Sequence, residues 1–361
     1  MKFVMSNNWD FFLSLVRLGI ENSNKVLMSE TVNWEVLEAL AVEQGLSAVM
    51  VDGIERLPEG QRPPKQVLLQ WIGESLQGFE YRYELYCRTI AEMAAFYNEH
   101  GFKMMILKGY ACSLDWPKPE HRPCGDIDIW QFGQQKVADA VLVKEKSIKI
   151  DKERNHHTVF YWRDFMVENH YDFINVHHNK ENPELEKVFK ELGEDDSFSI
   201  EVYGERVYLP SPNLHALFLL RHAMAHFVAT GITLRQLMDW AFFAKAHGKE
   251  IDWLWLEGVL EKFGMRRLYD IFNAICVEDL GFSVSTFPRV QFEPSLKERV
   301  LKDILEPEYN NDLPKNFFRR VVYKWKRWKA NGWKYELCYN ESRSSAFWHG
   351  VWMHLMKPKS I

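Results

Sequence analysis

The sequence lacks the features that mark several common classes of protein. No apolar run reaches the roughly 18 residues that a membrane-spanning helix needs. The early stretch WDFFLSLVRLGI is interrupted by Asp10 and Arg17, so we expect neither a signal peptide nor a membrane anchor. There is also no internal repeat and no low-complexity segment. We therefore expect a globular, cytoplasmic protein without a membrane partner.

Paired cysteines and an excess of positive charge are also missing. The chain has five widely spaced cysteines and no C-x-x-C pair, which argues against a disulfide framework or a cysteine-based zinc site. These are Cys87, Cys112, Cys124, Cys276 and Cys338. The formal net charge of −5 is not that of a generally basic nucleic-acid binder, so we expect no nucleic-acid partner.

Helical patterns surround a central segment that has strand character. Within residues 9–98, NWEVLEALAVEQG has an asparagine cap and a glycine stop, and one long helical pattern continues to Gly101. The next segment contains the short apolar runs FKMMILKG and DIDIW, two predicted hairpins (HTVFYW-RD-FMVENHYDF and FSIEVYGERVY) and the helix PELEKVFKELG. We predict an α+β fold, with a helical region over 1–100, a small mixed β-sheet core over 101–205 and a helical region over 206–361.

Two acids stand out in the stretch RPCGDIDIW. Residues two apart on a strand face the same side, so Asp126 and Asp128 should share a face. Neighbouring carboxylates repel each other, and a divalent cation bound between them would offset both charges. The alternative is an exposed edge strand whose acids are solvated.

The surrounding residues favour the metal hypothesis. Lys108 and Gly109 end the preceding apolar run, and Arg122 precedes the acids by four residues. Glycine lets a backbone approach a phosphate closely, and the cations supply counter-charge. Downstream, FMVENHY places Glu168 and His170 on one face of the next hairpin, where a third carboxylate would complete a site for catalytic metal ions.

These motifs resemble the nucleotidyltransferase superfamily of the DNA polymerase β type. The order KG, R-x-x-GDID and VENH is similar to that of an uncharacterised bacterial nucleotidyltransferase family, as is HALFLLRHAMAHFVATGITLRQLMDW further on. The resemblance implies transfer of a nucleotide from an NTP such as ATP to an acceptor hydroxyl, with release of pyrophosphate. The acceptor would be a small molecule, a carbohydrate or a protein.

The resemblance also implies roles for individual residues. Asp126, Asp128 and Glu168 would be catalytic and would coordinate Mg²⁺, or Mn²⁺ in its place. Seven further residues would contact the nucleotide, namely Lys108, Gly109, Arg122, Gly125, His170, His222 and His226.

The chain departs from the superfamily pattern after the first strand. A serine usually follows this glycine and helps to bind phosphate, but here Tyr110 follows it, and the gap to the acid pair is long. A catalytically silent nucleotide-binding or scaffold protein is therefore the alternative function. Asp172 is the alternative third acid, although the V-E-N-H context favours Glu168.

The helix that contains the paired histidines permits several interpretations. His215, His222 and His226 fall near one helical face and could lie at a domain contact, touch phosphate or acceptor, or bind zinc. Arg235 and Asp239 are four apart, which predicts a helix-surface ion pair. Four further histidines of the central segment are expected to be hairpin and loop residues rather than ligands. They are His156, His157, His177 and His178.

Residues 315–339 mix lysine and arginine with aromatic side chains. Such a stretch could hold nucleic acid, which would make the protein an RNA-modifying nucleotidyltransferase. It could also form an amphipathic helix whose aromatic residues pack inward. The short length of the stretch and the overall acidity of the chain favour packing.

Overall fold

The computed structural model describes residues 2–23, 32–73, 77–151, 156–177, 179–309, 314, 316–341 and 344. No helix in these ranges is long and apolar enough to cross a membrane. The described residues form a mixed α/β fold, which confirms the predicted class.

The amino-terminal part is helical, as predicted. It contains α1 (Lys2–Gly19), α2 (Trp34–Gln44), α3 (Ser47–Glu55), α4 (Lys65–Trp71) and α5 (Gln77–Glu99). Asn33 caps α2 by accepting a hydrogen bond from the Val36 amide, and Gly45 ends that helix in the left-handed region. Helices α4 and α5 cover most of the long helical pattern predicted up to Gly101, and residues 74–76 between them lie outside the described residues.

A six-stranded sheet forms the centre of the molecule. The elements are β1 (Met105–Ile106), α6 (Tyr110–Ser113), β2 (Ile127–Trp130), α7 (Gln135–Lys146), β3 (His157–Trp162), β4 (Phe165–His170), α8 (Asn182–Leu192), β5 (Ser199–Val202) and β6 (Glu205–Tyr208). The strand order is β3-β4-β2-β1-β6-β5. Strands β2 and β4 are parallel, as are β1 and β6, and the other neighbours are antiparallel.

Both predicted hairpins are present. Strands β3 and β4 are joined by Arg163 and Asp164, and β5 and β6 by Tyr203 and Gly204. Three of these turn residues, Arg163, Tyr203 and Gly204, have positive φ, as tight hairpin turns require. The first hairpin presents β4 to β2, the strand of the acid pair.

Helices follow the sheet to the end of the described chain. They are α9 (Pro212–Ala229), α10 (Leu234–His247), α11 (Trp253–Lys262), α12 (Arg266–Glu278), α13 (Pro294–Leu305), α14 (Phe317–Ala330) and α15 (Gly332–Cys338). In the basic aromatic stretch, Tyr335 is buried, but Trp325 and Trp328 of α14 are exposed. The prediction that the aromatic residues pack inward is therefore wrong for these two tryptophans.

The two faces of the sheet belong to different hydrophobic cores. Ile127, Ile129 and Val167 pack in one core with residues of α5 and α7. Met105 and Trp130 pack in the other core, with residues of α1–α3 and α8–α13. Asp128 and Glu168 point to the same side as Trp130, because alternate residues of a strand share a face. The acids thus lie beneath α9.

Candidate functional site

The strand register places two of the predicted acids side by side. Asp128 of β2 is directly opposite Glu168 of β4, and Trp130 is opposite His170. Residues paired in this way present their side chains to the same face. Asp126 lies just before β2, where its carbonyl oxygen accepts a hydrogen bond from the Tyr86 hydroxyl at 2.8 Å. The sheet therefore brings Asp126, Asp128 and Glu168 together.

Lys108 lies between the two aspartates. Its Nζ is 3.1 Å from Asp128 Oδ1 and 3.6 Å from Asp126 Oδ2. Burial alone would lower the pKa of Lys108, but the charges of Asp128 and Asp126 raise it. Burial would likewise raise the pKa of Asp128, but Lys108 and the hydrogen bond to His170 lower it. The pair is thus ionised, and Lys108 provides the local counter-charge.

Two features indicate that this site can take up a further cation. Asp128 Oδ2 is buried and has no hydrogen-bond partner. Burial and the adjacent Asp128 charge raise the pKa of Glu168 to about 7. Asp128, Glu168 and His170 each offer one ligand atom, and these atoms lie within 4.8 Å of one another. Their oxygen-rich donor set fits a hard divalent ion such as Mg²⁺.

Gly109 has a specific structural requirement. Its φ of 65° lies in the region that favours glycine. A Cβ atom added here would also collide with the Tyr86 hydroxyl, the group that holds the Asp126 carbonyl. Glycine therefore allows the chain to turn beside the acid pair.

A small cavity of about 100 Å³ adjoins the acids. It lies between the loop residues Lys108, Gly109 and Gly125, and helices α9 and α10 contribute His222 and Arg235. Gly125 is exposed, and a side chain added there would meet nothing within 4 Å. Lys108, Arg122 and Arg235 line the cavity together with the carboxylates of Asp126 and Asp239. The cationic groups and the open backbone suit phosphate oxygens.

Arg122 also lines this cavity, but its guanidinium is bound to protein. Nε and NH2 donate to Asp239 Oδ1 and Oδ2 at 2.7 and 2.8 Å, and Arg122 is 6% exposed. Asp239 also accepts from Trp116 Nε1 at 2.9 Å. The predicted surface pair between Arg235 and Asp239 is therefore wrong, because Asp239 is buried and pairs with Arg122.

Arg235 is a cavity residue whose role the sequence analysis missed. Its Nε is buried without a hydrogen-bond partner, and its pKa is lowered by burial and by the charge of Arg122. A cation held beside another cation favours a bound anion. The sequence did contain a signal for this role. Arg235 lies one helical turn before Asp239 and so on the same face of α10, and this face lies toward Arg122 because Asp239 binds it.

The three histidines of α9 have different surroundings. His222 Nε2 is 3.3 Å from Lys108 Nζ, and the His226 ring lies 4.4 Å from the His222 ring. His215 is buried against Cys112 and Phe243. Among the described residues, no group that could hold a metal includes any of these three histidines.

The other predicted site residues are also located. Tyr110 is buried and stacks on Tyr83 with a centroid distance of 6.3 Å, so its ring belongs to the core rather than to the cavity. Asp172 forms an ion pair with Lys190 at 2.7 Å. His177 is partly buried in a turn, where its amide donates to Asn175, and His178 lies outside the described residues.

His156 and His157, expected to be hairpin residues, lie beside the acids. Together with His170 they form a second group whose ligand atoms lie within 4.8 Å of one another. Burial and the charge of His170 lower the pKa of His156 to about 2. The sequence contained a signal for this position. A two-residue turn between the two strands pairs the start of β3, where His157 lies, with the end of β4, where VENH lies.

Comparison with known proteins agrees with the motif resemblance. A family model described as an uncharacterised nucleotidyltransferase matches residues 30–280, which include the acids, the cavity and the histidine-containing helix. No curated protein and no solved structure matches the chain.

Proposed function

Because the chain belongs to this nucleotidyltransferase family, we propose that it moves a nucleoside monophosphate from an NTP to an acceptor hydroxyl in a Mg²⁺-dependent reaction. The observation that carries the proposal is the convergence of Asp126 and Asp128 on Lys108, with Glu168 directly opposite Asp128. The unpartnered Asp128 Oδ2 supports a bound cation at this point.

The metal would be held by Asp126, Asp128 and Glu168, with Mn²⁺ as an alternative to Mg²⁺. A bound divalent ion would supply charge that balances the phosphate oxygens and the departing pyrophosphate. Lys108 would then exchange its carboxylate contacts for phosphate contacts, since its Nζ borders both the acids and the cavity.

The phosphates of the NTP would occupy the cavity beside the acids. Lys108 and Arg235 would supply charge to them, and the amides around Gly109 and Gly125 would approach them closely. His222 and His226 would border the nucleotide from α9. Arg122 would not contact the nucleotide with its guanidinium, which is bound to Asp239, but would shape the cavity wall. His170 would position Asp128 through the contact between their side chains.

In the reaction, the acceptor oxygen would attack the α-phosphorus in line with the leaving group. A new oxygen–phosphorus bond forms while the bond to the β-phosphate oxygen breaks, and that electron pair leaves with pyrophosphate. We assign Glu168 to accept the hydroxyl proton, because its carboxylate lies directly opposite Asp128 at the proposed metal position. The positive groups of the cavity would stabilise the charge that develops on the phosphates.

The test is calorimetric titration of ATP, GTP, CTP and UTP, with Mg²⁺ and with chelator. Wild type and Asp172→Asn, a matched control whose carboxylate pairs with Lys190, should bind at least one nucleotide only with Mg²⁺. The Asp126→Asn/Asp128→Asn variant should lose this binding. If no nucleotide binds, or if the double variant binds as wild type does, the proposal is wrong.

The acceptor can be sought with an NTP labelled on its α-phosphate. Label should move from the NTP into one fraction of a cell extract, whether small molecules, carbohydrate or protein, and only with active enzyme. Nucleotide binding without any transfer would favour the silent nucleotide-binding protein instead.

One observation favours an RNA acceptor as a second candidate. Helix α14 exposes Trp325 and Trp328 among arginine and lysine side chains. Such a surface can stack on bases and contact phosphates. Transfer of label to RNA that is lost in Trp325→Ala/Trp328→Ala, with nucleotide binding retained, would support this acceptor.

A further inference from the structure

Three imidazole rings cluster at one end of the β3–β4 hairpin, and the proposed transfer reaction does not use them as a group. The ring centroids of His156 and His157 are 4.4 Å apart. The His170 ring lies 5.4 Å from His156 and 5.2 Å from His157. All three residues therefore face a shared space.

Main-chain hydrogen bonds hold this cluster together. His157 and His170 are direct partners in the antiparallel ladder of β3 and β4. The His156 carbonyl accepts hydrogen bonds from the amides of Tyr171 and Asp172, both at 3.0 Å. The spacing of the rings is thus set by the sheet and the chain after it, rather than by flexible side chains.

His170 has the orientation of a metal-binding imidazole. Its Nδ1 is 3.1 Å from the Asp172 carbonyl oxygen, so Nδ1–H can donate to that oxygen. Bonds of this kind commonly orient metal-bound histidines, and Nε2 becomes the ligand atom when a metal ion replaces the proton that it shares with Asp128. Nε2 of His170 faces the acids, at 3.2 Å from Asp128 Oδ1 and 4.0 Å from Glu168 Oε2.

Glu168 lies between two of the rings. Its Oε1 is 3.6 Å from His157 Nε2, while its Oε2 is on the His170 side. Nδ1 of His156 is buried without a hydrogen-bond partner. The three ring nitrogens therefore lie within 4.8 Å of one another, and the Glu168 carboxylate lies beside those of His157 and His170.

We propose that the imidazoles of His156, His157 and His170 form a second cation site, with Glu168 as the neighbouring carboxylate that completes it, and that this site selects a transition-metal ion such as Zn²⁺ over Mg²⁺. Imidazole suits zinc and its neighbours in the first transition row, whereas Mg²⁺ prefers oxygen ligands. Three histidines and a carboxylate match the four-coordinate preference of zinc. The site shares Glu168 with the proposed Mg²⁺ site but does not depend on nucleotide transfer.

The first experiment adds Co²⁺, a spectroscopic substitute for Zn²⁺, to the metal-free full-length protein without nucleotide. One equivalent should produce the visible absorption bands of four-coordinate Co²⁺. Zn²⁺ should abolish the bands by displacement, since it binds such donors more tightly than Co²⁺. Mg²⁺ in large excess should leave them unchanged, and displacement by Mg²⁺ would overturn the proposal.

Substitutions then assign the ligands. His157→Ala and His156→Ala should each weaken Zn²⁺ and Co²⁺ binding by at least about 10-fold. Even the loss of a residue that only supports a metal ligand typically lowers metal affinity by this factor. His100→Ala is the matched control and should bind as wild type, because His100 is exposed and contacts only Phe96 among the described partners. Unchanged binding in both cluster variants would overturn the proposal.

Two features keep this test decisive. If His157→Ala does not fold, His156→Ala still tests the site, because His156 precedes β3 and is only partly buried. Asp126→Asn should retain Zn²⁺ binding while Mg²⁺-dependent nucleotide binding falls. The nitrogen site can therefore fail while the nucleotide proposal stands, and the reverse also holds.

Discussion

Asp128 and Glu168 are direct neighbours on the parallel strands β2 and β4, and both carboxylates face the same side of the sheet. Asp128 is 1% exposed, so its charge has almost no solvent to screen it. The neighbouring Glu168 keeps its proton up to about pH 7, because of burial and of that charge. Lys108, 3.1 Å from Asp128 Oδ1, therefore balances the one charged acid of this pair.

The two aspartates should differ in their effect on stability. Asp126→Asn should change the free energy of unfolding by less than about 1 kcal/mol, because its side chain is 34% exposed. Asp128→Asn should cost about 3 kcal/mol, because it leaves buried Lys108 with one distant partner. Urea unfolding without divalent metal measures both values, and equal effects would contradict this account.

Removing the cation should make stability depend on metal. In Lys108→Met the acids lose their internal counter-charge, so the melting temperature should fall in chelator and recover with Mg²⁺. Wild type should respond less to Mg²⁺, because Lys108 competes with the metal. Calorimetric melting with and without Mg²⁺ makes the comparison. A variant that melts at the wild-type temperature in chelator would show that Lys108 does not balance the acids.

The Arg122–Asp239 pair should be structural and intolerant of a lysine. Arg122→Lys and Asp239→Asn each break a buried two-bond pair, so each should lower the free energy of unfolding by about 3 to 5 kcal/mol. Arg122→Met/Asp239→Leu should recover part of that loss, because neither charge is then left alone. Denaturant unfolding of the three variants is the measurement, and fully additive losses would argue against a coupled pair.

Stability should also depend on pH through Glu186, away from the acids. The Glu186 carboxylate accepts hydrogen bonds from the amides of Phe173 and Ile174. Burial raises its pKa to about 8, although these hydrogen bonds act to lower it. The folded state therefore binds this proton more tightly, and the stabilisation present at low pH is lost as pH rises toward 8.

Relative to wild type, Glu186→Gln should thus gain stability between pH 5 and pH 8, on the order of 2 to 4 kcal/mol. Urea unfolding at several pH values measures the difference. Glu191→Gln, on the exposed surface of the same helix, should follow wild type throughout. A constant difference between Glu186→Gln and wild type would contradict the prediction.

Local chemistry explains which parts of the fold the sequence could predict. Asn33 and Gly45 bound α2, and the first hairpin has its two-residue turn between strands rich in aromatic and β-branched residues. Each of these signals acts within a few residues of the chain. The acid motif is equally local, since two acids two residues apart at the start of β2 both approach Lys108.

The sequence pattern could not predict contacts between residues that are far apart along the chain. Arg122 and Asp239 are 117 residues apart, so the nearer Arg235 seemed the natural partner of Asp239. Helix α7 was not predicted, although its Ala138 and Leu142 are fully buried against the sheet. The aromatic residues of α14 were expected to pack inward, but Trp325 and Trp328 are exposed. Amphipathic spacing alone does not reveal whether a helix has a partner surface to pack against.

The β3–β4 hairpin determines how the candidate site could change over evolution. Residues 156–170 carry Glu168 and all three clustered histidines, whereas Asp126 and Asp128 belong to another strand. Backbone pairing to β2 holds the hairpin in place and does not depend on these side chains. Substitutions confined to this one hairpin would therefore change the metal preference that we propose, while the acid pair and the proposed nucleotide cavity stay intact.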